Sequence, residues 1–103
     1  MQKFFSKSIK NGDEVLLAAC DEEVAGKTFE DDKAKITVSR SFYCDTLCDE
    51  AELVAKMRTA TIINLAGNRC VEIAVKNGFV KLDGVLRIGG IAHAQIVTAN
   101  NLS

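Results

Sequence analysis

An Asn11-Gly12 pair lies between two strand-like runs near the start of the chain. This dipeptide is the strongest short signal for a β-hairpin, because both central positions of a type I′ turn need a positive φ. We therefore predict two antiparallel strands, over residues 4–10 and 14–20. The second run is continuously apolar over residues 15–20, which predicts a central strand that is covered on both faces.

A long helical pattern occupies the middle of the chain. Asp49 and Glu52 have the spacing of a capping box, in which each side chain accepts a hydrogen bond from a backbone N–H group at the start of a helix. Apolar residues then recur at helical spacing, and Gly78 provides a C-terminal cap. Because the span is long for one helix, we expect a break between Thr59 and Gly67.

Shorter strand-like runs complete the pattern. Residues 34–39 alternate polar and apolar side chains, and residues 85–88 and 94–98 are separated by the Gly89-Gly90 pair. This pair indicates a bend, a bulge or a close approach of two backbones. We predict a single α+β domain over residues 1–103, with a mixed or antiparallel sheet of about five strands and a broken helical region packed on one face.

The composition is that of a globular protein that needs no disulfide support. Of the 103 residues, 48% are hydrophobic, which is enough to build a core at this length. No apolar run approaches the ~18 residues of a membrane span. Lysines interrupt residues 1–7, where a signal peptide would be apolar. We expect a cytoplasmic protein with no membrane association.

The two halves of the chain differ in charge. Residues 1–52 carry 12 acidic and 7 basic side chains, whereas residues 53–103 carry 2 acidic and 6 basic ones. If the fold kept them apart, the basic ones would form a positive face for phosphate or an acidic partner. The pI of about 5.8 favours the alternative of a mixed solvated surface, because nucleic-acid modules are usually strongly basic. The basic residues concerned are Lys56, Arg58, Arg69, Lys76, Lys81 and Arg87.

The four cysteines match no disulfide framework and no common zinc knuckle. Only Cys44 and Cys48 are close enough in sequence to suggest a local pair, either a redox pair or part of a zinc site. Cys20 and Cys70 lie within apolar runs, where free cysteine usually packs as a small hydrophobe. We favour core packing for all four, and we predict no metal site and no cofactor.

Polar residues beside glycines are the main candidates for function. Arg69 follows Gly67-Asn68, where free backbone amides at a helix start can bind an anion, although a glycine there is more often only a bend. The single histidine, His93, follows the Gly89-Gly90 pair. Tyr43 is interpreted as an aromatic plug at the edge of the core. The candidate ligand- or partner-binding residues are Asn64, Gly67, Arg69, Arg87, Gly89, Gly90, His93 and Gln95.

Two segments carry a resemblance to a known family. The run from Asn64 to Ala74 and the run from Arg87 to Gln95 resemble an uncharacterised family of small archaeal proteins, domain-of-unknown-function family 424. The glycine pair followed by His93-Ala94-Gln95 is the most specific part. Residues 3–5 and 14–21 are similar too, so the resemblance covers nearly the whole chain.

The resemblance implies an archaeal, cytoplasmic protein of one domain, with no established activity or substrate. Members of the family typically have proline where this chain has Ala92, a difference that loosens the approach to His93. The Cys44 and Cys48 pair does not resemble a family feature, which argues against a zinc site shared by the family.

Three functional hypotheses stay open, and none includes an assigned catalytic residue. We favour a non-enzymatic binding or accessory module that presents polar side chains to an RNA or to a ribosome-associated protein. These side chains are Asn64, Arg69, His93 and Gln95. The alternative is a small enzyme in which His93 acts as acid or base on an anionic substrate held by Arg69. The third is a structural homodimer that pairs through an edge strand.

Overall fold

The computed structural model describes residues 3–98, which fold around one mixed sheet of six strands. The strands are β1 (Phe4–Asn11), β2 (Glu14–Asp21), β3 (Thr28–Glu30), β4 (Lys35–Thr37), β5 (Thr46–Cys48), β6 (Ile62–Ala66), β7 (Leu86–Ile88) and β8 (Ile91–Val97). The helices are α1 (Arg40–Tyr43), α2 (Glu50–Thr59) and α3 (Asn68–Lys76). The predicted α+β class is confirmed. Of the helices within residues 3–98, none has the length and apolar character needed to cross a membrane.

The main sheet has the strand order β5-β1-β2-β6-β8-β7, and β3 pairs with β4 in a separate small hairpin. Neighbouring strands of the main sheet are antiparallel, except that β2 and β6 are parallel. A parallel pair requires a long crossover connection. Residues 22–61 form this crossover and contain the small hairpin, α1, β5 and α2. The main sheet thus has six strands where about five were predicted, and the strand predicted at residues 34–39 lies in the small hairpin instead, as β4.

The predicted break in the helical region is a strand. The expected break between Thr59 and Gly67 is confirmed, because α2 ends at Thr59 and α3 begins at Asn68. The break contains a strand that the sequence did not predict, since Ile62–Ala66 form β6 at the centre of the sheet. A short run that is almost continuously apolar cannot be told from a buried helix by its periodicity. The capping box of Asp49 and Glu52 is confirmed at the start of α2.

Both predicted glycine turns exist, but the first is displaced by one residue. Asn11 pairs with Glu14, so the central turn residues are Gly12 and Asp13, and of these only Gly12 has a positive φ, at 62°. One left-handed position at the first central residue is the requirement of a type II′ turn, so the predicted type I′ turn is wrong. Gly89 and Gly90 join β7 to β8 with φ values of 55° and 93°.

Apolar cores lie on both sides of the main sheet, because successive strand residues point to opposite faces. On one side, called here the helix face, α2 and α3 pack over residues such as Leu17 and Leu65. On the other side, called the open face, α1 and the β3-β4 hairpin cover a smaller core that includes Ala18 and Cys20. The broken helical region of α2 and α3 thus packs on one face, as predicted, while α1 and the β3-β4 hairpin cover the open face only in part.

Candidate functional site

Three predicted site residues lie side by side on the open face. In the register of β6 and β8, Asn64 is opposite Gln95, and Ala66 is opposite His93. Residues two apart along a strand share a face, so His93 and Gln95 lie on the same face as Asn64. The antiparallel pairing of β6 and β8 therefore brings together side chains that are far apart in the sequence.

Tyr43 reaches this group from α1. Its hydroxyl donates a hydrogen bond to Oδ1 of Asn64 over 2.6 Å, and its side chain is only 4% exposed. Burial raises the pKa of Tyr43 to about 12, so the hydroxyl stays a donor at neutral pH. The predicted aromatic plug is confirmed. Its bond to Asn64 was not foreseeable from sequence, because it depends on where α1 crosses the sheet.

His93 is half-buried and lacks an orienting partner at one ring nitrogen. Its Nδ1 atom is buried without a hydrogen-bond partner among the described residues. Burial lowers the pKa of His93, which favours the neutral imidazole at neutral pH. Catalytic histidines usually have an acceptor that fixes the ring through its second nitrogen. Within residues 3–98, no such acceptor orients the ring of His93 through Nδ1.

An apolar row crosses the open face next to these polar residues. The strand registers align Ile9, Leu16, Ile62 and Val97 across β1, β2, β6 and β8. Ile9 is 40% exposed and Val97 is 77% exposed, while the two central residues are half-buried. Within residues 3–98, no element covers this end of the face. We define the open patch as Ile9, Leu16, Ile62, Asn64, Gln95 and Val97.

The start of α3 is not free to bind an anion, because the carboxylate of Asp21 already occupies it. The Asp21 carboxylate accepts hydrogen bonds from the backbone N–H groups of Arg69, at 2.9 Å, and of Cys70, at 2.8 Å. Burial raises the pKa of Asp21, while these two amides act in the opposite direction. Gly67 has a φ of 124°, and a Cβ there would lie 2.4 Å from Cγ of Asp21. The expectation of free amides is therefore wrong.

Arg69 is held by the N-terminal half of the chain. Its Nε atom donates to Oε2 of Glu23 at 2.9 Å, and one Nη donates to the carbonyl of Lys3 at 3.0 Å. Its guanidinium also lies 4.7 Å from the centre of the Phe4 ring. The hydrogen bond from Arg69 lowers the pKa of Glu23.

A second ion pair also joins the two halves. Lys76 contacts Glu50 at 3.0 Å. Of the six basic residues predicted for a positive face, Arg69 and Lys76 are thus paired with acidic residues of the first half of the chain. This pairing supports the mixed-surface alternative over a separate positive face.

The remaining candidates lie around the turn between β7 and β8. Arg87 is opposite Ala92, whose side chain belongs to the helix-face core, so Arg87 lies on the opposite face from His93. The N–H of Gly89 donates to Oδ2 of Asp31 at 3.1 Å. A Cβ on Gly89 would lie 2.5 Å from the backbone nitrogen of Glu30. Gly89 therefore allows the β3-β4 hairpin to pack against this turn, and Gly90 completes the turn.

Cys44 and Cys48 are not brought together, so the suggested local pair is wrong. The thiol of Cys48 donates to Oγ of Ser6 at 3.8 Å and belongs to the helix-face core. Cys44 packs on the open face, against the core that includes Cys20. Among residues 3–98, no group of three or more His, Cys, Asp or Glu side chains is placed to hold a metal ion.

Comparisons with known proteins agree with this fold. A crystal structure of an uncharacterised conserved protein from Methanopyrus kandleri is similar with a TM-score of 0.77 and 24% sequence identity, over 91% of this chain and 90% of that chain. This likeness shows the shared fold. No curated protein matches the chain. The model of the family described as "Protein of unknown function (DUF424)" matches residues 9–99, so the chain belongs to this family.

Proposed function

We propose that this protein is a non-enzymatic binding module that binds a protein partner through the open patch. The observation that carries the proposal is the row of Ile9, Leu16, Ile62 and Val97, which no described element covers. Contiguous apolar side chains on a surface usually mark an interaction site. The partner would bury this row and complete the half-covered face of the sheet.

Polar groups beside the row supply orientation and specificity. Asn64 and Gln95 are opposite each other, one step along the strands from Ile62 and Val97. Tyr43 fixes the amide of Asn64 through its 2.6 Å hydrogen bond. A group that is already ordered loses little entropy on binding, so preorganisation improves affinity. Apolar contacts flanked by fixed polar groups are typical of protein interfaces.

The geometry favours a protein partner over RNA. Proteins that bind single-stranded RNA stack the bases on exposed aromatic rings and contact the backbone with free cations. The open patch consists of aliphatic and amide side chains, while Tyr43 is buried in the open-face core and Phe5 packs against that core. Arg69 and Lys76 are engaged in ion pairs.

The enzyme hypothesis has less support because His93 has no chemical partner. Its neighbours in the strand registers are Ala66 and Leu86, and neither can act as a nucleophile or exchange a proton. The buried Nδ1 atom also lacks a hydrogen bond within the described residues. His93 is therefore better suited to contact a partner at the border of the open patch.

Affinity capture with variants of the patch tests the proposal. We would immobilise the wild-type protein, Val97→Lys and the matched control Leu82→Lys, whose side chain is 68% exposed outside the patch. Each is exposed to a nuclease-treated lysate of an organism that has this family. We expect the wild type and Leu82→Lys to retain the same proteins and Val97→Lys to lose them.

Two results would contradict the proposal. One is retention of the same proteins by Val97→Lys, which would place the interaction elsewhere. The other is retention that depends on intact RNA in an untreated lysate, with no protein bound after nuclease treatment. Light scattering of the purified protein shows separately whether the patch binds a second copy of this chain. In that case the wild type has the mass of a dimer, and Val97→Lys has the mass of a monomer.

A further inference from the structure

Two cysteines from distant parts of the chain meet on the open face. Cys20 is near the end of β2, and Cys44 follows α1 directly. Cys20 is part of the open-face core, and Cys44 packs against that core. Their side chains are thus neighbours at one apolar core, close enough for the thiols to interact. Both are free thiols, so the pair is reduced in this structure.

The two thiols differ in accessibility. Cys20 is 0% exposed, whereas Cys44 is partly exposed. Burial and the neighbouring thiol raise the pKa of Cys20 to about 12, which disfavours the thiolate that would start an attack. An accessible thiol in front of a buried one is the arrangement in which the first reacts and the second resolves the product.

We propose that Cys44 and Cys20 are a thiol oxidation site that reacts with low-molecular-weight disulfides and closes into an intramolecular disulfide. The Cys44 thiolate attacks one sulfur of a disulfide RSSR, which forms a mixed disulfide and releases RS⁻. Cys20 then loses its proton, and its thiolate attacks the Cys44 sulfur and expels the second RS⁻. The protein loses two electrons and two protons, and RSSR becomes two RSH.

The other two cysteines have no place in this reaction. Cys48 is on the helix face, in contact with Ser6. Cys70 is buried on the helix face, and its thiol donates to the carbonyl groups of Ala66 and Gly67. Only the Cys20 and Cys44 pair combines two cysteines at the same core with access from solvent to one of them.

Incubation of the native full-length protein with cystamine, followed by alkylation and mass spectrometry, tests this site. We expect the wild type to lose about 2 Da through disulfide formation. Trypsin should then release peptides 11–27 and 41–56 as one cross-linked species. Because Cys48 shares the second peptide with Cys44, the Cys48→Ser variant is the matched control, and it should form the same cross-link.

Two further variants separate the steps. Cys20→Ser should stop at one cysteamine adduct on Cys44, and Cys44→Ser should react at neither position. The proposal is overturned if the wild type keeps four free thiols, if it stops at an adduct on Cys44, or if the cross-link joins another pair. The result for the wild-type protein tests the proposal even if one variant fails to fold.

Discussion

Gly67 and Asp21 touch so closely that a Cβ on Gly67 would lie 2.4 Å from the carboxylate carbon of Asp21. The contact places the carboxylate against the first amides of α3, where it accepts the N–H groups of Arg69 and Cys70. A negative charge at this end of a helix also interacts favourably with the helix dipole. Strand β2 therefore supplies the N-terminal cap that helix α3 lacks in its own sequence.

Substitution of Gly67 should separate this contact from ordinary backbone strain. We expect Gly67→Ala to lower the free energy of unfolding by about 3 kcal/mol or more, because strain at positive φ adds to a clash with a buried carboxylate. Gly78→Ala is the matched control, since Gly78 has a φ of 80° with nothing within 4 Å of an added Cβ. It should cost only about 1 kcal/mol. If urea denaturation shows that Gly67→Ala and Gly78→Ala lose the same free energy of unfolding, the contact with Asp21 is unimportant.

The capping carboxylate itself should matter. Asp21→Asn replaces one acceptor oxygen with an N–H donor that faces backbone N–H groups, so we expect a loss of about 2 kcal/mol in the free energy of unfolding. Asp31→Asn is the comparison, because Asp31 also accepts backbone amides but is exposed. Chemical denaturation of both variants measures the difference. A loss for Asp21→Asn no larger than that for Asp31→Asn would contradict the assignment.

Stability should fall as the pH falls through the range in which histidine titrates. Burial lowers the pKa of His93 below its ordinary value of 6.5, so the unfolded chain binds this proton more tightly than the folded protein does. The stabilisation is complete above the unfolded pKa and is lost as the pH falls towards the folded pKa. We expect His93→Gln to reduce the difference between urea midpoints at about pH 7.5 and about pH 5.5. An unchanged difference would assign the effect to other groups.

The bond between Tyr43 and Asn64 should be measurable as a coupling energy. Tyr43→Phe removes the hydroxyl and leaves the ring, so we expect a loss of about 1 kcal/mol in the free energy of unfolding. A double-mutant cycle with Asn64→Ala should give a coupling of about 1 kcal/mol. Additive losses would indicate that the 2.6 Å contact contributes nothing to stability.

Local signals in the sequence predicted local structure correctly, apart from the turn type at Asn11-Gly12. The capping box of Asp49 and Glu52 and the turn at Gly89-Gly90 depend on residues only a few positions apart. The strand Ile62–Ala66 was missed because four of its five residues are apolar, so it lacks the alternation that identifies a strand.

The candidate site was less predictable because its contacts are long-range. Cys44 and Cys48 are neighbours in sequence, yet they lie on opposite faces of the sheet. Conversely, Cys44 meets Cys20, and Asn64 meets Tyr43, only after the crossover returns the chain to the sheet. Of the predicted site, Asn64, His93 and Gln95 do lie together, because the register of β6 and β8 places them on one face.

The cap on α3 also imposes an order of events during synthesis of the chain. Asp21 leaves the ribosome long before Arg69, which lies 48 residues later and provides one of its donors. One edge of β2 likewise has no strand to pair with until β6 is synthesised, after the entire crossover. A nascent chain that ends before β6 contains an acceptor without donors and a strand without its central neighbour. Residues 62–70 therefore complete the strand pairing and the helix cap that residues 14–21 begin.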